Sequence, residues 1–129
     1  MLNKTGITKV TGAAPVQILF NVQNQMSVGI KLAKDFAGAV VENGRKIVKA
    51  GTPLAGDLTN RSAAFTAAAA GNAVGVLLHD VDVTDSDANA TLLIWGFVNL
   101  NRVDAATKAL LTAEVQTALA GRVYFLADN

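Results

Sequence analysis

Two apolar runs lying close together constrain this fold more than any other feature. Ala73-Val-Gly-Val-Leu-Leu-His79 and Thr91-Leu-Leu-Ile-Trp-Gly-Phe-Val98 flank a polar stretch, Asp80–Ala90, that is rich in turn formers. Leu, Ile, Val and aromatic side chains suit a pleated surface, and Asp, Ser and Asn favour turns, so the pattern predicts a hairpin with a long loop. Both runs are almost continuously apolar, which predicts that both faces of each strand are covered. They are expected to form the centre of a sheet or small barrel.

The chain around this hairpin reads as mostly β. Val16–Val22 is β-branched and aromatic and roughly alternates, a strand pattern. Ile30, Leu32, Ala33 and Phe36, within Ser27–Ala39, fit either a short helix or a loop with buried anchors. Asn43-Gly44 between Val40-Val41 and Ile47-Val48 is a tight-hairpin signal, because both residues accept the positive φ of a type I′ turn. Arg61–Ala70 is a conflict: alanine favours helix and Gly71 would cap one, yet the segment is short. Asp104 is a candidate N-cap, followed at helical spacing by Leu110, Leu111, Val115, Ala118 and Leu119, with Thr112 an alternative start for a second short helix. Gly121 ends the pattern, and Arg122–Leu126 reads as a terminal strand.

The first fourteen residues differ in character. Met1–Ala14 is polar, carries Gly6 and Gly12, and shows no clear period. It reads as an arm that orders only when bound. With 129 residues the chain is expected to form one domain: residues 1–14 as the arm and 15–129 as a β-rich body, with 15–44 an N-terminal elaboration. The fold class is mainly β (α+β): a small mixed, barrel-like sheet with one or two short helices.

Charge and residue chemistry narrow the function. Charged residues make up only 16% of the chain, against about 25% in typical soluble domains, so part of the surface is expected to meet a partner. A net charge of +1 gives no electrostatic footprint for nucleic acid. No apolar run is long enough to span a bilayer as a helix, and the N-terminus has no apolar core of a signal peptide behind Lys4. With no cysteine, thiolate chemistry and disulfides are excluded. There is no phosphate loop or dinucleotide fingerprint, and no serine in a strand-turn-helix context. His79, the one histidine, ends an apolar run and reads as a structural residue. Asp85-Ser-Asp87-Ala-Asn89 matches the first ligands of a calcium loop, but Ala90 stands where Gly is needed and Gly96 where the bidentate Glu belongs. No metal, cofactor or catalytic residue is therefore assigned.

The order of elements from Gly51 onward carries a resemblance. Gly51-Thr-Pro-Leu54 leads through Asp57 to Ala73-Val-Gly-Val-Leu77, then to Thr91–Val98, a helical insert, and Val123-Tyr-Phe-Leu126. Over roughly residues 45 to 129 this resembles the lambda-type head decoration proteins of tailed bacteriophages. The resemblance implies an extended Ala63–Thr66. It also implies a homotrimer on the outer surface of the expanded head, clamping neighbouring major capsid proteins in the virion without catalysis. By the same resemblance Thr5, Ile7, Thr8, Val10 and Thr11 belong to a capsid-binding arm that adds a strand to a capsid-protein sheet. The alternative expectation is a non-catalytic ligand- or carbohydrate-binding module, which would want exposed aromatics on one face.

Overall fold

A computed structural model describes residues 17–21 and 23–127. The described residues form nine strands in chain order: β1 (Met26–Leu32), β2 (Val40–Glu42), β3 (Arg45–Val48), β4 (Pro53–Ala55), β5 (Ala64–Ala67), β6 (Gly75–Leu77), β7 (Val81–Asp82), β8 (Ala88–Asn99) and β9 (Val123–Leu126). Two short helices, α1 (Ala105–Lys108) and α2 (Ala113–Ala118), lie between β8 and β9.

The larger sheet closes on itself. Its order is β1-β5-β4-β6-β8-β9, and β1 also pairs with β8, so five strands form a circuit and β9 extends from it. Closure satisfies backbone groups that an open sheet would leave at its edges. β8 is the axis of the arrangement. It holds β1 antiparallel from Met26↔Trp95 to Leu32↔Ala88, and β6 antiparallel at Val76↔Leu93 and Leu77↔Leu92. Near its end it takes β9 in parallel, from Gly96↔Val123 to Asn99↔Leu126. The central hairpin expected from the two apolar runs is therefore present. The seam between β1 and β5 is parallel and only two pairs long, Lys31↔Ala64 and Leu32↔Phe65.

Two apolar clusters hold this frame. One contains Leu32, Leu54, Phe65, Leu77 and Leu92 and reaches Val48 of β3 and Val83 just beyond β7. Phe65 is 1% exposed, and burying such a ring contributes about 2–3 kcal/mol. The other packs Val76, Leu93, Val98 and Val123 against Leu111, Val115 and Leu119 of the helical segment.

The smaller sheet, β2-β3-β7, follows from local chemistry. Asn43 and Gly44 take φ of +52° and +77°, as the type I′ turn requires. β7 pairs with β3 at Ile47↔Asp82 and Val48↔Val81. Asp80–Ala90 is thus not simply a polar loop: Val81-Asp82-Val83 alternates, and its apolar members face the core.

Other expectations are corrected, and open alternatives are decided. Of Val16–Val22, the described part makes one isolated bridge, Leu19↔Val98, rather than a strand. Ser27–Ala39 holds neither a helix nor a bare loop at its start: Met26–Leu32 is the barrel stave with the longest ladder to β8. That places part of the expected elaboration, residues 15–44, within the barrel wall. Arg61–Ala70 resolves as the strand Ala64–Ala67, with only a 3-10 turn at Ala70–Asn72. The helical insert is two helices, each capped: Asp104 accepts from the Thr107 amide, and Thr112 from the Val115 amide. Leu110 falls in the break between them and is exposed.

Candidate functional site

The expectation that both faces of β8 are covered fails at its far end, and the register explains why. Ser27 pairs with Leu93 but Met26 with Trp95, so Ile94 has no partner and the ladder carries a bulge. A bulge adds one residue and reverses which face the following side chains take. Leu93 and Val98, five residues apart, consequently share the cluster under the helices. Trp95 and Phe97 turn the other way and belong to neither apolar cluster among the described residues.

β9 extends this face. Its parallel register sets Tyr124 beside Phe97. The Phe97 and Tyr124 rings stack with centroids 5.4 Å apart, and Trp95 meets Phe97 edge-on at 6.0 Å. Trp95 and Tyr124 remain 42% and 44% exposed. Met26 lies opposite Trp95, and Phe20 donates its amide to the Phe97 carbonyl at 2.7 Å. Between Phe20 and Met26 the chain turns on Asn21, whose side-chain oxygen accepts from the Gln23 and Asn24 amides at 3.0 and 3.3 Å. Gln25 sits against Gly96, and its Oε1 is buried with no hydrogen-bond partner among the described residues. The result is a partly exposed aromatic strip running from β8 onto β9. The sequence reading missed it; Gly96, a glycine inside a strand run, was the available signal of a bulge.

The acidic stretch is engaged elsewhere. Asp80 accepts from the Ala50 amide at 2.7 Å and pairs with Lys49 at 3.4 Å. Arg45 bridges Asp82 and Asp85, both at 2.8 Å, and Asp87 accepts from the Lys34 amide at 2.8 Å. The Thr84 hydroxyl, the Arg45 guanidinium and the Thr84 amide hold the Asp82 carboxyl down at about 2. Among the described residues no group of three or more histidine or acidic side chains is placed to hold a metal ion.

Lys49, Asp80, Asn101, Arg102 and Asp104 line a recess next to His79, the chain neighbour of Asp80. Its charges serve the fold. Lys49, its pKa raised chiefly by Glu42, bridges Glu42 and Asp80. Asp104 caps α1, and Arg102 donates to the Gln17 carbonyl at 3.4 Å. His79 is exposed beside it. The expected arm residues Thr5, Ile7, Thr8, Val10 and Thr11 lie outside the described residues.

No protein-family model matches this chain, and a comparison with curated proteins finds no match either.

Proposed function

We propose that this chain is a structural decoration protein of a tailed-phage head. In this reading it sits on the outer surface of the expanded shell as a homotrimer and clamps neighbouring major capsid proteins, without catalysis. The observation that supports it most is the presence of two separate apolar surfaces on one small barrel. One is the aromatic strip around Trp95. The other is the outer strand of the smaller sheet, where Val41 is 70% exposed. A clamp needs at least two contact surfaces on one body, and several weak contacts engaged together give tight binding. The resemblance over roughly residues 45 to 129 points the same way.

The test is co-sedimentation of the purified protein with expanded and unexpanded heads of the phage that encodes it. Saturable binding to expanded heads, with raised resistance of those heads to heat, is the expected result. Failure to bind expanded heads at any concentration overturns the reading.

A second reading has one observation in its favour. Exposed Trp95 and Tyr124 provide the flat stacking surfaces that suit a saccharide. Quenching or shift of Trp95 fluorescence by neutral oligosaccharides, without head binding, would favour it.

A further inference from the structure

We infer that the aromatic face formed by Phe20, Met26, Trp95, Phe97, Tyr124 and Leu126 is where copies of this chain meet, packed around a common axis. The inference rests on the homotrimer of the proposed function and names the surface that builds it.

Area is the first argument. Five of these residues are 40% to 58% exposed. At about 150–250 Å² for a fully exposed large side chain, they present roughly 450 Å² of apolar surface. A standard interface buries about 800 Å² per partner, a little over half of it apolar, so this face supplies the apolar share of one stable contact.

Charge is the second. Residues 17–30 and 88–101, which form most of the face, contain no Asp, Glu, Lys or Arg. Nothing there would attract a nucleic acid, an anionic membrane or a charged peptide. A second copy brings matching chemistry: aromatic rings to cover the rings, and amides that both donate and accept.

The third is the sheet edge. Among the described residues β9 is the last strand of the larger sheet, with a neighbour on one side only. It carries Tyr124 and Leu126, and has none of the charges or prolines that blunt free edges. Continuation across a subunit boundary would cover it.

Light scattering after size exclusion, from about 1 μM to about 200 μM, tests the inference. The wild type is expected to reach a discrete multiple of 13.3 kDa. A double variant, Trp95→Arg with Tyr124→Lys, changes side chains that are nearly half exposed. It should keep the wild-type far-ultraviolet dichroism and stay monomeric at concentrations at least about 30-fold above the wild-type midpoint. Val41→Lys, on the other apolar surface, should assemble as the wild type does. If the double variant fails to fold, Leu126→Lys takes its place. A wild type that stays monomeric throughout overturns the inference, and so does a folded variant that assembles normally. Loss of head binding with assembly intact would count against the proposed function alone. Monomers that still coat heads would count against this interface alone.

Discussion

Met26 stands opposite Trp95 although its neighbour Ser27 stands opposite Leu93. That single skipped residue, Ile94, turns the last third of β8 over. It lets Val98 pack under the helices and leaves Trp95 and Phe97 facing outward. Gly96 follows at once, with φ of +155°, a conformation that side chains rarely adopt. A β carbon there would also lie 3.2 Å from both Gln25 Cβ and Leu93 Cδ1.

Gly96→Ala is therefore expected to cost about 2 kcal/mol, combining backbone strain with tight contacts. The melting temperature should fall by roughly 8 °C, with a change in Trp95 emission. Gly29→Ala, on the paired strand β1, has open space around its new methyl and should change stability little. Thermal unfolding of both variants checks this. Equal melting temperatures for the two would refute the strain at the bulge.

The β1–β5 seam gives a second prediction. It has two residue pairs, and beyond them Arg61 donates Nη1 to the Gly29 carbonyl at 2.8 Å. Arg61→Ala removes that donor at an exposed site. The expected loss is about 0.5–1.5 kcal/mol. The change should be local, because weakly paired segments open independently of the core. Hydrogen exchange should quicken at Ala64-Phe65, the β5 side of the seam, while amides of β6, beyond β4, are unaffected. Uniform acceleration across the sheet, or none, would contradict a local seam.

Acid sensitivity follows from the smaller sheet. Asp82 has a folded pKa of about 2 against an ordinary 3.8, and Asp35 is lowered chiefly by its hydrogen bond to Lys46. Both folded values lie below the unfolded ones. Their stabilisation is thus complete above about pH 4 and is lost as the pH falls from there toward 2. Asp82→Asn should flatten the melting temperature across that window while lowering it near neutrality. Because these pairs are exposed, high salt should shrink the difference. Parallel profiles for variant and wild type would remove Asp82 as a source of the acid response.

Local rules were legible in the residues. Asn43-Gly44 specified its hairpin, Asp104 and Thr112 their caps, and the two apolar runs the β6–β8 pair. What escaped is non-local. Nothing in Lys31-Leu32 announces a parallel partner thirty-odd residues away in Ala64-Phe65. Val81-Asp82 was hidden among turn-forming residues, though its alternation is what the third strand of a small sheet needs. The aromatic face was obscured because a continuous apolar run does not reveal where a bulge reverses it, and so which of Phe97 and Val98 is covered.

Residues 17–127 close the barrel and build both apolar clusters among the described residues. Deleting Met1–Ala14 removes no stave and no core side chain of that set. The truncated chain should melt within about 2 °C of the full one. The proposed shell contact makes the opposite demand on binding. Thr5, Ile7, Thr8, Val10 and Thr11 are the β-branched positions from which an added strand would draw main-chain hydrogen bonds at a capsid-protein edge. Truncation should therefore abolish co-sedimentation with expanded heads while leaving the number of chains per assembly unchanged, since the aromatic face is intact. Head binding at full-length strength would remove the arm from the contact. A collapse in melting temperature would instead show that these residues belong to the body of the fold.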